Sequence, residues 1–175
     1  MLNTLSDASD RAPDGIRLVI MPSANPDGCD AGTRVNANLI DINRNFPTLD
    51  FGTGDSSGQY YGGERPASEP ETQAIVGVIE RYKPELIISL HAPLACVNYN
   101  GPSVEIAGRI SRATGLPAVG DIGYPCPGSM GTYYGHERRI PLITLELPQE
   151  SADPERYAEV LLDVLARQAG GVQPG

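Results

Sequence analysis

Three places in this chain hold residues with chemistry to offer. Arg34, Asn43 and Arg44 lie in a polar stretch, Asn25 to Pro47, that is also rich in asparagine. His91 follows the apolar run Leu86 to Leu90, and Glu146 interrupts a second one, Leu142 to Leu147. Arginine presents a rigid fork of donors to carboxylates, so two arginines among amides read as a preformed clamp for an anionic or carbonyl-bearing ligand. A solvated loop whose asparagines cap turns is the alternative. A histidine closing a buried strand suits a metal ligand, because neutral imidazole is the commonest one; a hydrogen-bonded core histidine is the other reading. Glutamate is almost never buried without a partner. Inside a strand its pKa would rise by desolvation, which suits a general base. A water-facing Glu146, or one paired with Arg138, stands beside that possibility.

The elements that must position these groups follow from local pattern. Ile16 to Met21 is a short β-branched run ending at Pro22 and predicts a buried strand. Asn25-Pro26-Asp27-Gly28 predicts a turn, since Pro presets φ, Gly permits positive φ, and Asn and Asp bond their own backbone. Thr48 to Ser68, with Tyr60-Tyr61-Gly62-Gly63, predicts a long surface loop. Ser68 to Lys83 predicts a helix with a Ser68/Glu71 capping box, a buried face of Ile75, Val78, Ile79 and Tyr82, and a stop at Pro84. Leu86 to Leu90 predicts a buried strand, Ser103 to Thr114 a helix, Pro117 to Val119 a short strand, and Gly123 to Gly135 a second loop. In the strand Leu142 to Leu147, alternation sends Leu142, Thr144 and Glu146 to one face and Ile143, Leu145 and Leu147 to the other. A last helix, capped by Ser151 or Asp153, carries a stripe of Tyr157, Val160, Leu161, Val164 and Leu165. Alternating strands and helices predict an α/β fold with helices on both faces of a sheet. Ligands in such folds gather outside the carboxyl ends of the strands, where His91, Glu146 and the arginine loop fall.

Composition narrows the partners. The 175 residues are 40% apolar and 20% charged, with a formal charge of -9 that argues against a nucleic-acid surface. Cys29, Cys96 and Cys126 form no CxxC pair, so they read as small buried residues in a reducing compartment. No run approaches membrane-spanning length, and Met1 to Asp14 lacks the layout of a signal peptide. The expectation is a cytoplasmic protein without membrane partners. One α/β domain is expected over residues 15–169, between a weakly patterned start (1–14) and a tail (170–175).

Several motifs, in order, carry a family resemblance. Asn25-Pro-Asp-Gly, Thr33-Arg34, Asp41-Ile-Asn43-Arg44-Asn45-Phe46-Pro47, Ser89-Leu90-His91 and Thr144-Leu145-Glu146-Leu147 resemble the pattern of the zinc metallocarboxypeptidases. Ser68-Glu-Pro-Glu-Thr72, Ser89 to Cys96, and Gly123 to Ser129 are most similar to the bacterial murein peptide amidase branch. The resemblance implies a mixed, mostly parallel central sheet and a Zn2+ cofactor. It implies that His91 is the third zinc ligand, Glu146 the carboxylate that moves protons, and Arg34 the group polarising the scissile carbonyl. Asn43 and Arg44 would grip the substrate's terminal carboxylate. Tyr124 lies near the family's mobile tyrosine, and Met130 near its specificity pocket. The implied substrate is a short cell-wall peptide with a free carboxylate, cleaved beside a diaminopimelate-like residue.

The family's first two zinc ligands come from a His-x-x-Glu motif upstream, yet no histidine precedes His91, and His136 sits in a loop. The expectation is a domain lacking its N-terminal strands, with an uncovered sheet edge, poor solubility and weak or absent activity. Two alternatives remain open: a related deacylase of N-acyl amino acids, and a metal-free peptide-binding module.

Overall fold

Among the described residues, four strands make one sheet in the order β1-β4-β2-β3: β1 (Ile87–His91), β2 (Leu94–Asn100), β3 (Ala118–Val119) and β4 (Leu142–Pro148). The β1/β4 and β2/β3 pairs are parallel and β2/β4 is antiparallel, so the sheet is mixed and mostly parallel, as expected. The structure is a computed structural model, which describes residues 14–52, 54, 58–149 and 154–170. The proposed caps Ser151 and Asp153, most of the weakly patterned start and the end of the tail lie outside the described residues. The helices are α1 (Pro26–Ala31), α2 (Pro70–Tyr82), α3 (Val104–Thr114) and α4 (Pro154–Gly170). Short 3-10 turns cover Ile42–Arg44 and Gly58–Tyr60, and a π-helical turn covers Gly131–Glu137.

Strand alternation divides the core in two, as the β4 pattern predicts. Ile143 and Leu145, with Val97, pack against Ile106, Ala107 and Ile110 of α3 and Tyr157, Leu161 and Val164 of α4. On the opposite face Leu142 and Ile87 meet Ile42, Phe46, Ile75, Tyr133 and Tyr134. Phe46, Tyr133 and Tyr134 contact one another with ring centroids 4.8 to 6.2 Å apart, two of the three pairs edge-on. This second layer anchors the arginine loop on the sheet, because Ile42 and Phe46 flank Arg44 in sequence.

Several expectations fail locally. Ile16 to Met21 shows an odd-even alternation of half-buried and exposed side chains, but it is not a strand. A strand needs a partner ladder, and none is formed there among the described residues. Asn25-Pro26-Asp27-Gly28 begins helix α1 rather than a simple turn: the Gly28 N–H donates to Asn25 Oδ1 at 3.0 Å, and Pro26 opens the first turn. The Ser68/Glu71 capping box does not form, since Glu69 precedes the first helical residue and caps nothing with its side chain. Ser68 Oγ instead donates to Glu69 Oε1. Tyr82, placed on the buried face of α2, is exposed. Part of the loop Gly123 to Gly135 is the π-helical turn. Strand β2 had no predicted counterpart, because Asn98 and Asn100 mask its β-propensity. Of the cysteines only Cys96 is buried; Cys29 is exposed and Cys126 half-buried.

Candidate active site

The β1/β4 register sets His91 directly opposite Glu146, at the carboxyl ends of both strands. The His91 Nδ1 lies 3.9 Å from Glu146 Oε1. Glu146 is only 6% exposed, and burial raises its pKa, although the Leu94 N–H, 3.5 Å from Oε2, and the charge of Arg34 pull the other way. It does not pair with Arg138, which lies over the Tyr133 ring and beside Glu137. The His91 side chain is 26% exposed. Burial first, then the positive charge of Arg34, pushes its pKa down to about 4, with Asp41 opposing and Arg44 assisting. A carboxylate this near ordinarily favours imidazolium, but desolvation and two guanidinium groups outweigh it. At neutral pH the pair is therefore a neutral imidazole beside a carboxyl group, not an ion pair.

The same electrostatics bring the loop into the site. Helix α1 ends at Gly32, in the left-handed conformation with φ 64°, and Asn25 Nδ2 donates to the Arg34 carbonyl at 3.1 Å. Arg34 Nε donates to Asp41 Oδ2 at 2.7 Å. Asp41, 2% exposed, also caps the 3-10 turn, its Oδ1 accepting from the Asn43 N–H at 3.0 Å. Arg44 is nearly buried; its Nη1 donates to the Asn43 carbonyl at 2.7 Å and its Nη2 to Cys126 Sγ at 3.5 Å. Asn43 Oδ1 accepts from the Met130 N–H at 2.9 Å, which leaves the amide NH2 to offer. Met130 itself packs against the aromatic layer. The Tyr60 ring lies 5.0 Å from the Arg34 guanidinium carbon and 5.8 Å from that of Arg44, so one π face serves two like charges.

A cleft of about 800 Å³ opens from Arg44, walled by Phe51, Tyr60, Tyr61, Tyr124 and Pro127, with neither His91 nor Glu146 in its lining. Tyr124 is 43% exposed at the mouth. Its hydroxyl pKa is raised by burial first, and it feels Cys126, Arg44, Glu146 and Arg34. The structure thus brings His91, Glu146, Arg34, Asn43, Arg44 and Tyr124 to one region.

A supporting layer fixes the loop from behind. Glu69 accepts from Asn36 Nδ2 and Asn38 Nδ2, both at 2.8 Å, and from Ser68 Oγ at 2.7 Å. Burial would raise its pKa, but those three hydrogen bonds prevail and the net shift is downward. Asn45 Nδ2 donates to the Gly62 and Arg65 carbonyls and to Ser68 Oγ. Asp41, Tyr60, Glu69 and Cys126 were not singled out from sequence. Asp41 and Glu69 each fall inside a motif that carries the family resemblance, which is the signal that could have found them.

A profile described as zinc carboxypeptidase matches residues 6–105, more than half of the chain. The chain belongs to the zinc carboxypeptidase family. Among members of that family, murein peptide amidase A of Escherichia coli K12 is 36% identical over 154 residues, covering 81% of this chain and 63% of the relative. The Vibrio campbellii protein of the same name is 37% identical over 148 residues, covering 77% and 58%. The chain therefore spans about three-fifths of the length of these curated relatives. The crystal structure of a murein-tripeptide amidase from Escherichia coli O157 superposes with a TM-score of 0.70 at 34% identity, over 89% of this chain and 68% of that one. Carboxypeptidase A from Helicoverpa armigera reaches 0.74 at 19% identity, over 98% and 57%, a likeness of fold alone.

The family name implies zinc, and the donor set tests the fit. A catalytic zinc takes about three protein ligands. Among the described residues no group of three or more His, Cys, Asp or Glu side chains is placed to hold a metal ion. His91 is a suitable single ligand, kept neutral as metal binding requires. The described residues by themselves do not fit a zinc centre. No helix among them is long and apolar enough to cross a membrane.

Proposed function

We propose that this chain carries the substrate-gripping and proton-transferring part of an amide hydrolase acting on short peptidoglycan peptides with a free carboxylate. One observation supports the reading above the others. Glu146, with its raised pKa, sits in register beside His91, and both lie within electrostatic reach of Arg34.

In this reading the Arg44 fork and the Asn43 NH2 receive the substrate's terminal carboxylate. Arg34 uses only its Nε–H on Asp41, and its terminal N–H donors have no hydrogen-bond partner among the described residues. Those donors polarise the scissile carbonyl and stabilise the oxyanion, a role worth about 100- to 1000-fold in rate for a single donor. Glu146 accepts a proton from the attacking water as its oxygen bonds to the carbonyl carbon. The tetrahedral intermediate then collapses, the C–N bond breaks, and Glu146 returns the proton to the leaving amine. Such proton transfer contributes about 100- to 10,000-fold. His91 is the side chain this chain would offer to zinc.

The test is hydrolysis of a murein tripeptide by the full chain and by Glu146→Gln, with binding followed in parallel. The expected result is turnover that falls at least about 100-fold while affinity stays within about threefold. Near-full turnover by Glu146→Gln overturns the assignment of the base. A second reading, a peptide-binding module without catalysis, is favoured by the single candidate zinc ligand among the described residues. Tight binding with no turnover by the unaltered chain would select it.

A further inference from the structure

Asp41 lies at the junction of the two arginines and was assigned no part in the chemistry above. Its burial is nearly complete, and its two oxygens do different work. Oδ2 takes the Arg34 Nε–H at 2.7 Å, the short distance of a charge-assisted bond. Oδ1 takes the Asn43 N–H at 3.0 Å and so shapes the 3-10 turn that presents Asn43 and Arg44. The backbone closes the frame, with the Asp41 N–H donating to the Tyr61 carbonyl at 2.8 Å and the Arg44 N–H to the Asp41 carbonyl at 2.9 Å.

We propose that Asp41 is a positioning residue that aims Arg34 and ties its orientation to the carboxylate-gripping turn. The proposal rests on the roles given to Arg34, Asn43 and Arg44 above. Two features of the geometry carry it. Bonding through Nε, rather than through the terminal nitrogens, fixes the guanidinium plane and leaves its outer fork for a ligand. Arg34 is also half-exposed and, among the described residues, has only Asp41 and the Tyr60 ring to hold it. A long side chain in that setting loses orientation when its one anionic partner goes. Because one carboxylate serves both segments, a ligand that orders the turn also orders Arg34. Neither Asp41 oxygen touches substrate in this scheme, so it acts through its neighbours.

Asp41→Asn is the variant of choice, since it keeps the shape and an acceptor for the Asn43 N–H while removing the charge on the Arg34 bond. Two measurements on the full chain are used together. The first is a double-mutant cycle on the affinity for a carboxylate-bearing murein tripeptide, read by calorimetry. Asp41→Asn is expected to weaken binding about tenfold in the unaltered background and less than about twofold in Arg34→Ala. Equal losses in both backgrounds overturn the proposal. The second is the hydrogen exchange of the Arg34 Nε–H by NMR, identified by its loss in Arg34→Lys. Exchange is expected to quicken at least about tenfold in Asp41→Asn, while the thermal midpoint stays close to that of the unaltered chain; an unchanged rate refutes it. If the unaltered chain binds no peptide, the proposed function fails, and the exchange measurement alone decides on Asp41.

Discussion

The grip of Arg44 on a terminal carboxylate can be measured without altering the protein, by changing one atom of the ligand. A peptide ending in a carboxamide keeps the size and most of the shape of its carboxylate twin but loses the charge. Arg44 is 7% exposed and already oriented, with Nη1 on the Asn43 carbonyl and Nη2 on Cys126 Sγ, so little further side-chain ordering opposes binding. A hydrogen bond to a charged group contributes about 1.5–3 kcal/mol, and a partly buried fork falls in the upper part of that range. About 2–3 kcal/mol corresponds to a preference of roughly 30- to 150-fold for the carboxylate peptide. Arg44→Gln retains a donor for the Asn43 carbonyl while removing the charge, and should bind the two peptides within about threefold of each other. Titration calorimetry of both peptides against both proteins completes the cycle. A variant that still prefers the carboxylate by tenfold or more would show that another cation makes the contact. An unaltered chain that binds both peptides equally would remove the clamp altogether.

Two further perturbations bear on the frame. Gly128 has φ +69°, and a Cβ there would strike the Arg44 carbonyl. Gly128→Ala should therefore cost more than about 2 kcal/mol in urea unfolding, whereas Gly77→Ala, in open space on α2, should be neutral or stabilising by up to about 1 kcal/mol. The second perturbation is pH. Burial holds the folded pKa of His91 at about 4, below the 6.5 of a free imidazole, so the unfolded chain binds more protons between those values. Its contribution to stability is complete above about pH 6.5 and falls as pH drops to about 4, by up to about 3 kcal/mol. His91→Gln should flatten that part of the stability profile, measured by urea unfolding from pH 4 to 7. An unchanged slope would mean that the imidazole is not desolvated.

Residue types in order along the chain were enough to determine several things about this protein. They set the α/β class, the existence of α3, the buried stripe of α4, the alternation of β4, and the candidates Arg34, Asn43, Arg44, His91 and Glu146. Each of these depends on the period of a local backbone geometry or on the chemistry of a side chain, and both are written within a few residues. Other features were decided by segments far apart in sequence. Ile16 to Met21 has the pattern of a strand, but a ladder needs a neighbour. Strand β2, with its asparagines, is a strand because β3 and β4 lie on either side of it. The pairing of His91 with Glu146 depends on which strand lies next to β1, and the raised pKa of Glu146 on what covers it. Asp41 bridges Arg34 and the Asn43 turn only because the fold brings Arg34 to one of its oxygens and the Asn43 N–H to the other. Pairing and desolvation belong to the folded whole, because they are set by neighbours that a stretch of sequence does not contain.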